Sequence, residues 1–168
     1  VSIAEGRLYT QGHDQAKQQD TIFCLDSVTG DEIWSHTFPA KTMSSAHRGG
    51  TLSTPSIDGK VVWASNREGK LFRFDSKTGR VLWQTNLMKK HGAKMPTWGF
   101  AAAPLLLHEM VVMNVGPVIA FSRKGRRIWK TKNYGDAYAT PVDFTFRKKK
   151  YLAVFSGSGL TVLSRKSG

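Results

Sequence analysis

An all-β chain made of repeated units of about four short strands is the fold class this sequence predicts, and three observations predict it. Short alternating or wholly apolar runs follow one another with turns between them, and the 3.6-residue spacing of helices is nearly absent. A turn-and-tryptophan pattern recurs. Leu25-Asp26-Ser27-Val28-Thr29-Gly30-Asp31-Glu32-Ile33-Trp34 aligns with Phe74-Asp75-Ser76-Lys77-Thr78-Gly79-Arg80-Val81-Leu82-Trp83. A reduced copy is Phe121-Ser122-Arg123-Lys124-Gly125-Arg126-Arg127-Ile128-Trp129, and a fourth begins at Leu163-Ser164-Arg165-Lys166-Ser167-Gly168. The tryptophans are thus 49 and 46 residues apart. A proline marker runs in phase, as Ser53-Thr54-Pro55, Ala102-Ala103-Pro104 and Ala139-Thr140-Pro141.

Residues 1–38 read as the end of one strand followed by three more. The polar stretch His13 to Asp20 has no apolar anchor and is expected to be a mobile hairpin. Within residues 51–87 the strands fall at Leu52 to Ile57, Val61 to Ser65, Leu71 to Asp75 and Val81 to Asn86. Turns Asp58-Gly59-Lys60, Arg67 to Lys70 and Ser76 to Gly79 separate them. Residues 100–133 repeat the set of four, and residues 137–168 hold three. Ser156-Gly157-Ser158-Gly159 joins two strands with no helix after it, so it reads as a hairpin turn and not a phosphate loop. In the Asp-x-x-Thr-Gly turns the carboxylate can cap backbone amides and Gly supplies a positive φ, which makes Asp26 with Gly30 and Asp75 with Gly79 turn residues. Trp34, Trp83 and Trp129 then lie where a large ring can pack between neighbouring sheets while its N–H bonds backbone. Four strands in roughly 45 residues mark a β-propeller blade.

Composition narrows the function classes. The 168 residues carry 25 Lys+Arg against 12 Asp+Glu, a formal charge of +13, with 40% apolar residues, which is too apolar for a disordered polycation. The excess is uneven: residues 1–120 have a net charge of +3 and residues 121–168 one of +10. Two turn clusters carry most of it, Arg123-Lys124-Gly125-Arg126-Arg127 and Arg147-Lys148-Lys149-Lys150. Such turns are ordinarily just solvated; the functional reading is a polyanion-binding face using Arg126, Arg127, Arg147, Lys148, Lys149 and Lys150. One cysteine, Cys24, excludes an internal disulfide and a thiolate zinc cluster. The histidines show no ligand spacing, and no apolar run is long enough to span a membrane.

Spacing and residues together resemble the pyrroloquinoline-quinone (PQQ)-like β-propeller repeats, with a docking motif of the form Ala/Leu-x-Asp-x-x-Thr-Gly-x-x-x-Trp. The match is strong from Cys24 to Trp34 and from Arg73 to Trp83; the third copy lacks the Asp and Thr, and the fourth keeps little beyond Ser164 and Gly168. The segment Lys94 to Pro104 looks like the linker of bacterial, planctomycete-type members. This resemblance implies a ring of seven or eight blades, so residues 1–168 are read as one partial propeller domain, its neighbours the remaining blades of the same chain. A four-bladed ring is the lesser alternative. The resemblance also implies a periplasmic or cell-envelope location, although no signal-peptide layout opens the sequence.

The favoured expectation is a non-catalytic binding or scaffolding module, with no catalytic, metal or cofactor-binding residue and no cofactor. Its partner would be a protein or polymer held by the loops between blades; nucleic acid is not expected. Two long loops supply the candidate contacts, His47 and Arg48 in one and Lys90, His91 and Trp98 in the other. The enzyme alternative implied by the family is a PQQ-dependent dehydrogenase, with PQQ and calcium. Its vicinal disulfide is impossible with Cys24 alone, and most placed carboxylates fall in turns.

Overall fold

The computed structural model describes residues 1–42 and 50–168, which form four antiparallel sheets in chain order. The first contains β1 (Ser2–Ala4), β2 (Arg7–Asp14), β3 (Gln19–Asp26) and β4 (Glu32–Pro39). The second contains β5 (Ser56–Ile57), β6 (Val61–Ser65), β7 (Lys70–Asp75) and β8 (Val81–Asn86). A short helix, α1 (Leu87–His91), leads toward the third, made of β9 (Leu105–Leu106), β10 (Met110–Asn114), β11 (Pro117–Ser122) and β12 (Arg127–Asn133). The fourth has β13 (Val142–Phe146), β14 (Lys149–Ser156) and β15 (Gly159–Ser164). Strands pair in sequence order in every sheet, the arrangement of propeller blades.

Strand alternation explains how the blades stack. A strand points successive side chains to opposite faces, so a sheet covered on both sides needs apolar residues at every position. Strands β6 and β10 are buried at all their positions for this reason. Val62 and Ala64 face Tyr9, Ile22, Cys24 and Trp34 of the first sheet, while Val61 and Trp63 join Val111, Met113, Ile119 and Phe121 of the third. Val112, Val118 and Ala120 then meet Leu152, Val154 and Leu163 of the fourth. Each such side chain contributes roughly 1.5–3 kcal/mol when fully buried.

The innermost strands are shorter than the sequence predicts, because Leu52 to Ile57 contributes only β5. Pro55, Pro104 and Pro141 stand immediately before β5, β9 and β13 and cannot donate to a ladder, so regular pairing begins after them. Side chains tie the inner edges instead. The Ser2 hydroxyl donates to the Pro55 carbonyl (2.5 Å) and the Ser56 hydroxyl to the Pro104 carbonyl (2.6 Å), the same step from sheet to sheet.

The hairpin expected at His13 to Asp20 is present, but the expectation that it lacks anchors requires correction. Strands β2 and β3 continue through it, pairing His13 with Asp20 and Asp14 with Gln19. Its anchors are polar: His13 Nδ1 lies 2.8 Å from Asp20 Oδ1, Asn66 of the second sheet donates to Asp20 Oδ2 (3.0 Å), and His13 Nε2 meets the Thr42 hydroxyl (2.8 Å). A reading that looks for apolar anchors misses a buried pair that satisfies its own hydrogen bonds.

Candidate functional site

Antiparallel pairing sends successive connections to opposite ends of the sheets, which creates two surfaces. At the turn end lie the Asp-x-x-Thr-Gly hairpins. Asp26 accepts the amides of Val28 and Thr29 (2.8 and 2.9 Å), and Asp75 accepts those of Lys77 and Thr78 (3.0 and 2.9 Å) and the Thr78 hydroxyl (2.9 Å). These donors hold both carboxyls below the usual carboxylate range; the Thr29 amide acts most strongly on Asp26 and the Thr78 amide on Asp75.

Each tryptophan docks beneath the corresponding turn of the following sheet. The Trp34 indole N–H donates to the Ser76 carbonyl (2.9 Å), and that of Trp129 to the Arg165 carbonyl (3.2 Å). The Trp34 ring lies so near Gly79 that a Cβ there would sit 2.7 Å from it, and a Cβ on Gly125 would sit 2.3 Å from the Trp83 ring. These glycines, at φ 70° and 93°, therefore serve both the turn and the docked ring. Asp75, Gly79 and the three tryptophans stand in blade-to-blade architecture, whereas Asp26 and Gly30 shape only their own hairpin turn.

The loop end carries the binding candidates, and the structure separates them. His47 and Arg48 lie outside the described residues. Helix α1 is started by Asn86, whose side chain accepts from the Lys89 amide (2.8 Å), and is closed by Gly92 at φ 65°. An Asn and a Gly enclosing Leu87 to His91 were the local signal for this turn of helix. Lys90 is exposed on it, whereas His91 is turned inward. Its ring stands edge-on to Phe121 (5.0 Å, 89°) and Nε2 meets the Thr85 hydroxyl (3.0 Å). Burial first, then the charges of Arg127, Lys130 and Lys90, lower its pKa.

Trp98 is 51% exposed, yet its loop is firmly held. The Thr97 amide and hydroxyl both donate to Asp136 Oδ2 (2.9 Å each), and the Tyr138 hydroxyl donates to the same oxygen (3.1 Å). The indole leans on the Tyr138 ring with centroids 5.2 Å apart. Behind it Phe100 is buried, and its amide donates to the Arg67 carbonyl (3.0 Å). The Thr97 amide, then its hydroxyl, lowers the Asp136 pKa. Lys94 and Met95 beside Trp98 are exposed. The arrangement is a preformed aromatic platform with a cationic neighbour, suited to stacking and charge pairing. Asp136 and Tyr138, absent from the sequence candidates, reveal their role only through this fold contact between separate loops.

The basic candidates Arg126, Arg127, Arg147, Lys148, Lys149 and Lys150 are exposed at the turn end, opposite Trp98. Among the described residues, no three His, Cys, Asp or Glu side chains gather as a metal site. Six of the carboxylates have protein partners: Asp26 and Asp75 turn amides, Asp20 His13 and Asn66, Asp136 Thr97, Glu109 and Asp143 Arg165. Cys24 is fully buried in the first sheet.

A protein-family model described as outer membrane protein assembly factor BamB matches residues 18–168. No curated protein sequence matches the chain. Among solved structures, BamB from Moraxella catarrhalis superposes with a TM-score of 0.59 at 13% identity, over 99% of this chain and 60% of that one. A quinohemoprotein alcohol dehydrogenase from Pseudomonas putida HK5 superposes with a TM-score of 0.64 at 15% identity, over 90% of this chain and 27% of that one. The computationally designed Ika8 protein gives a TM-score of 0.62 at 12% identity, over 99% and 45%. The chain thus spans less than two thirds of the length of each, and at these identities the likeness is one of fold.

Proposed function

Because this chain belongs to the PQQ-like β-propeller family described as outer membrane protein assembly factor BamB, we propose that it is a non-catalytic binding or scaffolding module of the cell envelope. The observation that carries this reading is Trp98, exposed on a loop fixed by Asp136 and packed at a tilt against Tyr138. An ordered aromatic residue costs little further entropy on binding and is a common centre of protein interfaces. The partner in this reading is a protein that meets the loop end, with Trp98 at the centre and Lys90 and Lys94 at the rim. No helix among the described residues is long and apolar enough to cross a membrane.

The test is site-specific photo-crosslinking from Met95 in envelope extracts, with the captured protein identified and its affinity then measured against Trp98→Ala and Tyr138→Ala. A loss of about tenfold or more for Trp98→Ala supports the proposal. Equal affinity for all three proteins overturns it. Calcium-dependent dye reduction after addition of PQQ would instead favour the dehydrogenase reading.

A further inference from the structure

Two basic segments come together at the turn end: the start of β14, with Lys149 and Lys150, and the residues after β15, with Lys166. A groove of about 870 Å3 opens there between the third and fourth sheets. Met110, Ile128 and Tyr151 give it apolar lining, and Lys149, Lys150 and Lys166 give it positive charge. Two carboxylates stand nearby, but Arg165 occupies both. Its guanidinium donates to Glu109 Oε1 (2.6 Å) and to Asp143 Oδ2 (2.9 Å). Arg123 is drawn away to an ion pair with Asp58 of the second sheet. Among the described residues, none of the three groove lysines is in an ion pair. A second observation concerns the adjoining β13–β14 turn. Arg147 and Lys148 occupy it at φ 46° and 62°, where Asn and Gly are the unstrained choices. The turn holds cations at a conformational cost, the kind of strain that collects at functional sites.

We propose that this groove binds an extended acidic peptide segment carrying an apolar residue. The occupant follows from the lining. Cations beside apolar surface require a ligand with carboxylates and an apolar side chain close together. A single-stranded nucleic acid would stack successive bases on several aromatic faces, of which the groove offers one, Tyr151, and a membrane surface would meet protruding apolar residues, not a recess. The site is at the end of the sheets away from Trp98, so it does not depend on the loop-end reading.

The probe is a fluorescein-labelled octapeptide of alternating Glu and Leu, titrated with the 168-residue chain and followed by anisotropy. Binding should weaken with added salt and fall about tenfold or more in K149E/K150E/K166E, while K17E/K89E, whose exposed lysines lie outside the groove, stays as wild type. Ile128→Ser should weaken it several-fold, and Gln–Leu and Glu–Ser octapeptides should each bind about tenfold less tightly. Thermal midpoints confirm that each variant is folded; if the triple reversal is not, the triple Lys→Gln variant replaces it. The proposal is overturned by no binding, by equal binding of the Gln–Leu peptide, or by Ile128→Ser and the Glu–Ser peptide both leaving affinity unchanged. It is also overturned if a single-stranded oligonucleotide or anionic phosphatidylglycerol vesicles displace the peptide by binding this face more tightly.

Discussion

Gly79 and Gly30 occupy equivalent turn positions with similar φ values of 70° and 80°, yet their surroundings differ. A Cβ at Gly30 meets nothing within 4 Å, whereas at Gly79 it meets the Trp34 ring at 2.7 Å. Gly30→Ala should therefore cost only the backbone term, about 1 kcal/mol. Gly79→Ala and Gly125→Ala should cost distinctly more, approaching the ~3–5 kcal/mol expected for Trp34→Ala, because the ring must leave its seat. Urea unfolding of the variants gives this order directly; equal losses for Gly30→Ala and Gly79→Ala would contradict the docking account.

At the level of the element, α1 matters because it carries His91 into the space between the second and third sheets. Burial lowers the His91 pKa from 6.5, and burial likewise lowers that of His36 on β4. Below about pH 6.5 the unfolded chain then binds protons that the folded chain refuses, so stability falls as pH falls from that point until the folded imidazoles also protonate. Asp26 and Asp75 act in a lower window: their depressed pKa values keep their stabilisation intact above 3.8 and release it only as pH falls through the folded values. The thermal midpoint should thus drop between about pH 7 and about pH 5 in the wild type. The drop should be smaller in His36→Gln/His91→Gln when each variant is referred to its own value at pH 7. An unchanged slope would mean that neither histidine is held neutral by the fold.

Across the whole molecule, the two middle sheets are covered on both faces, but the fourth presents an apolar face. Phe155, Leu160 and Val162 are 63%, 69% and 55% exposed, and Phe155 faces Leu160 directly across β14 and β15. A contiguous apolar sheet face of this kind promotes association. The 168-residue chain should self-associate with rising concentration, and Leu160→Lys/Val162→Lys should shift it toward monomer in sedimentation velocity runs. Persistence of the same oligomer in that variant would place the contact elsewhere.

The repeated turn with its tryptophan, the in-phase proline and the period-2 runs determined the blades, because turn chemistry and side-chain alternation are local properties of consecutive residues. The strands β6 and β8 are readable to the residue for that reason. Tertiary structure alone decided three things. It turned His13 and Asp20 from a polar insertion into a buried clasp on Asn66, it placed Asp136 and Tyr138 under Trp98, and it joined Lys149 and Lys150 to Lys166 and Ile128 around one groove. Each of these joins residues from different strands or loops, and the partner of a polar or charged side chain across such a gap is set by how the sheets stack, which no local spacing records.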